Sequence, residues 1–364
     1  MIIAISFTLF FIVLRFTVTL FNFISNPKLT RVSRQYHDLV SILIPARNEE
    51  ENILTLLESI HLQDYREYEV IVYDDQSTDN TNGIVAKFAE KHPRFRVVKG
   101  TYLPEGWTGK NHACFQLAKQ AKGHYFLFLD ADTCINKNLI NSAVHRMYLN
   151  KLALLSLFVN QRMETIGEKL TVPLLHYLLL NMLPLRFLNL LKGPAGAVAC
   201  GQFMLFDGLV YRQNEWHQMV KNKVVEDAEI MKIIKTEAYY GEVLLANQMM
   251  QCRMYRNLTD AVNGFSKNVL ALFNYSIPGM LTFITVFFGG PMLIFMTLNF
   301  NLIFFTGGLI ILSRLMVSLT AGQNVFYNII LHPFQIIMLV LIGFLSIQKH
   351  LTKTNIWKGR SVEE

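Results

Sequence analysis

Four long apolar segments constrain this chain more than any other feature. Residues 2–24 are nearly all apolar, broken chiefly by Arg15, and residues 277–298, 302–319 and 325–347 repeat that character towards the other end. About 20 helical residues cross the hydrocarbon core of a bilayer. Backbone polar groups find no water there, so each segment is expected as a helix. Arg314 and His332 are the basic groups inside the later segments. At that depth such a group either marks a functional cavity or lies in a partly buried helix from which it snorkels.

The hydrophobic fraction of 52% is high for a soluble chain, and the excess sits in these segments. Residues 1–26 have neither the basic start nor the small-residue exit of a cleaved signal peptide, so they are expected as a retained anchor. Lys28, Arg31 and Arg34 follow and place the globular stretch 36–266 in the cytoplasm by the positive-inside rule. The tail 348–364 is also basic and wants the same side, which conflicts with an odd number of crossings within 277–347. Residues 302–319, with two glycines and Arg314, are the weakest span. The expected layout is a multi-pass cell-membrane protein with two or three C-terminal helices. A net charge of +7 suits an anionic leaflet or a phosphorylated substrate, and no basic run interleaved with aromatics points to nucleic acid. The four cysteines lack C-x-x-C spacing, so neither a zinc site nor a disulfide framework is expected.

The globular stretch reads as α/β. "LVSILIPARNEEENILTLLESI" is a buried strand, a turn at Pro45 and a helix whose Ile53, Leu56, Leu57 and Ile60 recur at helical spacing. "YEVIVYDD" and "STDNTNGIVAKFAEKH" repeat the pattern, with Ser77, Thr78 or Asp79 available as a cap. "FRVVKG", "NHACFQLAKQAKG" and "HYFLFLD" continue it, predicting a mainly parallel, Rossmann-like sheet covered on both faces. Residues 172–192 carry Asn181, Arg186, Asn189 and Lys192 in one sector, as in a helix lying in the membrane surface. A helix buried against the sheet fits as well, and Pro184 argues against one straight helix.

Ligands of open α/β sheets sit outside the carboxyl ends of the strands, and three acidic pairs fall at such places. Asp130 and Asp132 end an apolar run and point the same way if the chain is locally extended. Two adjacent carboxylates repel unless a divalent cation joins them, and Mg2+ or Mn2+ takes such oxygens together with substrate phosphates. A solvated turn explains the pair equally. Asp74 and Asp75 are placed to accept from a uracil imide or ribose hydroxyls, or to cap the next helix. Glu226 and Asp227 open a helix, where the dipole alone favours acids. Lys110 at another helix start is placed for a phosphate or for solvent.

In order, "IPARNEE", "DDQSTD", "GWTGKNHAC", "LDAD", "GQFMLF" and "VVEDAEI" make residues 38–270 resemble the membrane-bound family 2 glycosyltransferases of the GT-A fold. The resemblance is to the lipid-modifying branch, which includes carotenoid glucosyltransferases of the diaponeurosporenoate and hydroxychlorobactene kind, hopanoid-associated transferases and ceramide glucosyltransferase. It implies a nucleotide-sugar donor, commonly UDP-linked, a lipid acceptor and a divalent cation, Mn2+ or Mg2+. By the same resemblance Pro45, Ala46, Glu49, Asp74, Asp75, Lys110 and Asp130 lie on the donor side, with Asp75 near the base. Asp130 and Asp132 hold the metal, Asp227 is the general base, and Glu226, Arg253 and Tyr255 lie towards the acceptor. Inversion in one displacement is implied.

Two stretches depart from the family. Where processive synthases and ceramide glucosyltransferase carry Q-x-x-R-W this chain has "QMMQCRMYRN", which argues against chain elongation to a polymer. "YRQNEWHQ" lacks the glycine pair that relatives carry before the histidine. A membrane scaffold with an inactive nucleotide-binding fold is the reading outside enzymes.

Overall fold

The computed structural model describes residues 1–273, 275–352, 356–357 and 360–361, so Asn274 and much of the tail 348–364 lie outside the described residues. A helix, α1 (Ile2–Ser25), leads into a seven-stranded sheet. The strands are β1 (Val40–Ala46), β2 (Tyr68–Asp74), β3 (Phe95–Lys99), β4 (Tyr125–Leu129), β6 (Leu154–Phe158), β8 (Phe203–Asp207) and β9 (Gly241–Leu245), in the order β3-β2-β1-β4-β8-β6-β9. Every pairing is parallel except those of β8, which runs against β4 and β6. The first strands, β3 to β4, therefore bring their carboxyl ends to one edge. A second, three-stranded sheet joins β5 (Thr133–Ile135), β10 (Met250–Cys252) and β7 (Asn160–Gln161) beside that edge.

Period-two alternation divides the apolar residues between the faces. Ile42, Ile44, Val70 and Val72 pack with α2 (Ile53–His61), α3 (Thr81–Lys91) and α5 (Leu139–Asn150). Leu43, Ile71, Phe126 and Phe128 face α4 (Gly109–Gln120), α10 (Trp216–Met219) and α11 (Glu226–Thr236). The expected mainly parallel sheet, covered on both faces, is the one found.

Pro45 makes no turn: β1 runs through it to Ala46. The carbonyl of Ala46 accepts from Asp75 N on the β2 side (2.8 Å), so the neighbouring Pro45 faces β4. The β4 ladder has already ended at Leu43, and a missing N–H costs no interstrand bond there. The N-cap of α3 is Asn80, not Ser77, Thr78 or Asp79, and its side chain makes no capping bond; Asp79, one residue earlier, accepts from Thr81 N (3.0 Å) and Thr81 Oγ1 (2.6 Å).

Residues 172–192 are not one surface helix. They form α7 (Pro173–Met182) and α8 (Leu185–Leu190), separated at Pro184 and preceded by α6 (Ile166–Thr171). Only part of the polar sector turns inward, Lys192 staying exposed: buried Asn181 accepts from Arg15 Nε of α1 and donates to Thr19 Oγ1 (2.8 Å). Asn22 of α1 donates to the carbonyls of Leu180 (2.9 Å) and Leu183 (2.8 Å) and accepts from Leu185 N (3.0 Å). These bonds satisfy the end of α7 and the start of α8, where Pro184 breaks the helical ladder. The segment Pro27–Leu29 then pairs with the β9 edge through Leu245 N to Pro27 O (2.8 Å) and Leu29 N to Leu245 O (2.9 Å), ahead of the domain boundary expected at residue 36.

After α9 (Gly208–Asn214) and α12 (Leu258–Asn268) come α13 (Ile277–Ile284) and α14 (Gly290–Met296), joined through a π-helical turn at Thr285–Gly289. α15 (Phe300–Ala321), α16 (Val325–Ile330) and α17 (His332–Thr352) complete the described helices. Among the described residues four helical runs, Ile2–Ser25, Ile277–Met296, Phe300–Ala321 and His332–Thr352, are long and apolar enough to cross a membrane. Residues 302–319, expected as the weakest span, belong to an uninterrupted 22-residue helix. Residues 325–347 are instead divided between α16 and α17, with Pro333 in the first turn of α17, a position that tolerates a missing N–H.

Candidate active site

Acids gather where β1, β2 and β4 end. Asp130 and Asp132 follow β4, Asp75 follows β2, and Glu49 lies three residues past the end of β1. Opposite them, α4 and α11 begin with Lys110 and Glu226 in their first turns. The Lys110 ammonium donates to Asp130 Oδ1 (2.9 Å) and lies 3.0 Å from Glu226 Oε1, tying the strand end to the helix start. These two carboxylates raise the lysine well above its ordinary range against the opposing effect of burial.

Asp227 is fixed by two backbone amides. Its Oδ2 accepts from Gly201 N (2.7 Å) and its Oδ1 from Ala228 N (2.8 Å). Burial first, then the neighbouring charge of Glu226, pushes its carboxyl up to about 6 despite the opposing pull of Lys110. Gly201 has a steric reason to be glycine, because a Cβ there would lie 3.1 Å from both Glu226 Oε1 and Lys110 Nζ.

Asp132 is the least satisfied of the acids. Its Oδ1 is buried without a hydrogen-bond partner in the structure. Burial, then Asp130 and Glu49, pushes its carboxyl up to about 7, while a hydrogen bond with Cys252 of β10 pulls it down. A buried carboxylate oxygen without a donor is costly unless a cation takes it. Among the described residues no group of three or more His, Cys, Asp or Glu is arranged to hold a metal. Two carboxylates suit a hard cation whose remaining ligands are phosphate and water, so Asp130 and Asp132 fit that role.

The other expected residues divide. Tyr255 adjoins the acids: burial raises its hydroxyl, and Asp132 adds to the shift. Arg253 is drawn off to α6, with Nε 2.8 Å from the fully buried Glu168 and Nη1 2.7 Å from Glu164. Asp74 organises its own loop, accepting from Ser77 N (3.1 Å) and Asn82 Nδ2 (3.1 Å). Asp75 is buried beside Arg47, whose Nη1 donates to its carbonyl (2.7 Å). Glu49 accepts from Asn52 Nδ2 (2.8 Å), and its amide donates to Thr81 Oγ1 (2.8 Å). Pro45 and Ala46 are the last residues of β1, level with Tyr73 and Asp74.

Sequence reasoning passed over Asn111. Its fully buried amide donates to the carbonyls of Val220 (2.8 Å), Lys221 (3.3 Å) and Lys223 (2.9 Å), holding the approach to α11 against the start of α4. An asparagine directly after Lys110 in an otherwise apolar helix face was the available signal.

This edge, with acids at parallel strand ends, agrees with the family comparison: residues 41–212 match the model described as glycosyl transferase family 2. That stretch, just under half of the chain, is similar to the family 2 glycosyltransferases. Over 30% of its length the chain is 36% identical to a 4,4'-diaponeurosporenoate glycosyltransferase of Staphylococcus haemolyticus, covering 28% of that protein. Over 31% of the chain it is 35% identical to the UDP-Glc:alpha-D-GlcNAc-diphosphoundecaprenol beta-1,3-glucosyltransferase WfaP of Escherichia coli, covering 43% of it. The chain thus spans less than half the length of either relative. In fold it is similar to a mannosyltransferase of Pyrobaculum calidifontis solved with GDP-Man and Mn2+, at a TM-score of 0.55 and 15% identity, covering 97% of this chain and 100% of that one. The domain has the GT-A fold.

Proposed function

We propose that the chain is a membrane-bound glycosyltransferase that moves one sugar from a nucleotide-diphosphate donor, UDP-glucose or similar, to a hydroxyl or carboxyl of a membrane lipid, with inversion. The observation that carries this reading is the Asp130–Asp132 pair at the sheet edge, with a buried Asp132 oxygen lacking a donor and Asp227 held nearby by backbone amides. The names of the relatives support it: one concerns a carotenoid acid and the other a diphosphoundecaprenol-linked sugar, both greasy acceptors. The solved neighbour with GDP-Man and Mn2+ supports a cation in the chemistry.

In this reading Asp130 and Asp132 hold the cation, which when bound stabilises by several kcal/mol the negative charge that develops on the departing diphosphate. Asp75 lies by the nucleoside, with Pro45, Ala46, Glu49 and Asp74 shaping that end. Lys110, released from Asp130 and Glu226, neutralises phosphate oxygen. The acceptor oxygen attacks the anomeric carbon as the bond to phosphate breaks on the opposite face, and Asp227 takes the acceptor's proton. A positioned base contributes about 10²–10⁴ in rate, and a single displacement turns an α-linked donor into a β-glycoside. Glu226 and Tyr255 border the acceptor side, whereas the ion pairs of Arg253 with Glu164 and Glu168 favour a supporting role.

Purified protein incubated with UDP-glucose, Mn2+ and membrane lipid extract is expected to release UDP and yield a singly glycosylated lipid by mass analysis. Asp132→Asn should remove that release, and full activity in this variant would remove the cation assignment. The basic residues Lys28, Arg31 and Arg34 favour a cytoplasmic domain.

A further inference from the structure

Length and apolarity allow α17 to cross a membrane, but its contacts run the other way. α15 ends against the α/β domain, where Asn160 Nδ2 donates to the Ala321 carbonyl (2.9 Å) and Gly322 sits against the side chains of Asn160 and Gln248. The following helix α16 has six residues. That is about 9 Å of helix, far short of the hydrocarbon core of about 30 Å. α17 therefore starts on the domain side of the bilayer.

It also stays there. Gln335 Nε2 donates to the Lys169 carbonyl of α6 (2.8 Å). Gly343 packs against Met280 and Ile284 of α13. Ser346 Oγ accepts from Leu270 N (3.1 Å), and Lys349 Nζ donates to Ser266 Oγ of α12 (2.6 Å). Each of these four contacts is with the domain side or with the part of α13 next to it, and both ends of α17 lie on the same side. Its outer face is an apolar stripe of Phe334, Ile337, Leu341, Phe344 and Leu351, 46–68% exposed and recurring at steps of three, four and seven. Such spacing keeps the stripe on one side of a helix.

We propose that α16 and α17 form a re-entrant element in the leaflet facing the α/β domain. Its apolar stripe is immersed at the boundary of acyl chains and headgroups, so the chain crosses the membrane three times, by α1, α13–α14 and α15. The stripe is continuous with the lipid-facing helices, and Lys349 and His350 of its last turn, with Lys267 of α12, match anionic headgroups. Three crossings put the residues after α17 on the side of the domain and remove the conflict between the two basic flanks. The surplus span is α17, not residues 302–319. Arg314 is then accounted for: its guanidinium donates to the Asn328 carbonyl (3.2 Å) and to Gln335, inside the layer that α16 and α17 cover. The inference rests on the membrane association in the functional reading and not on its chemistry.

Two epitopes in the full-length chain test it, one inserted beside the exposed Tyr102 and one after Glu364. Antibody access in intact and permeabilised spheroplasts should change together for both tags. One tag accessible while the other is protected overturns the proposal. A second measurement needs no insertion: nitroxide labels at Ile337→Cys, Leu341→Cys and Phe344→Cys in a Cys134→Ser background, reconstituted in vesicles of phosphatidylcholine and phosphatidylglycerol. Collisions with oxygen and with a nickel chelate should place all three at one shallow depth. A progression of about 10 Å along those seven residues, as a crossing helix requires, overturns it. Neither readout depends on sugar transfer.

Discussion

Asp132 and Asp227 are both held at the expense of the folded state. Each carboxyl titrates higher in the folded chain than the ordinary 3.8, at about 7 and about 6 respectively. The folded chain therefore holds more protons than the unfolded one between 3.8 and about 7, and stability falls as pH rises through that window. In chelator, Asp132→Asn is expected to melt higher than the parent at pH 8, with the difference vanishing towards pH 4. The gain should be a few degrees, since about 1 kcal/mol moves a domain of 150–250 residues by about 2–4 °C. A scanning calorimetry series that shows no difference at pH 8 would falsify this. Asp227 gives the complementary expectation for rate. In its proposed role as base Asp227 must be deprotonated to act, so kcat should drop as pH falls through about 6, and Asp227→Asn should lower it by about 10²–10⁴.

At the scale of elements, α11 and α4 are placed by contacts that leave no periodic trace. Asn111→Ala deprives three loop carbonyls of their donor. The expected cost is about 1–3 kcal/mol, with a fall in kcat because Glu226 and Asp227 lose their register with Lys110. Arg253→Ala separates support from chemistry: a lower melting temperature is expected, with Mn2+ affinity by titration calorimetry unchanged, because its partners are Glu164 and Glu168 of the α6 region. These cases also explain what the sequence disclosed. Strands and helices of the first half were legible because their apolar residues repeat at two or 3.6, and each acidic pair was visible at a strand or helix end. Pro45 misled because a local rule about proline ignores where the neighbouring ladder stops. Arg253 and Asn111 were opaque because their partners lie 85 and 109 or more residues away. The inward turn of Asn181 needed α1, since a polar sector looks the same whether it faces headgroups or a buried arginine.

Across the whole molecule, α1 and the α/β domain share one hydrogen-bonded interface. Arg15 also donates to the Tyr177 hydroxyl (3.0 Å), and its guanidinium lies 3.6 Å from the Phe287 ring centroid, so α1, α7 and the helical run Ile277–Met296 meet at one buried cation. A truncated form beginning at residue 36 is expected to aggregate even in detergent that keeps the parent monodisperse, because it exposes the apolar floor around Leu174, Leu180 and Leu185 and frees the β9 edge. Size-exclusion chromatography showing a monodisperse truncated domain would contradict this. The same interface bears on assembly during synthesis. With α1 as the proposed membrane anchor, Arg15 would enter the bilayer well before its acceptor Asn181 is translated, a gap of 166 residues. In that interval the nascent α1 has a guanidinium without its eventual partner, so it has reason to stay shallow or to lean on the insertion machinery. In that proposed membrane setting α1 would settle at its final depth only once the ribosome had delivered α7.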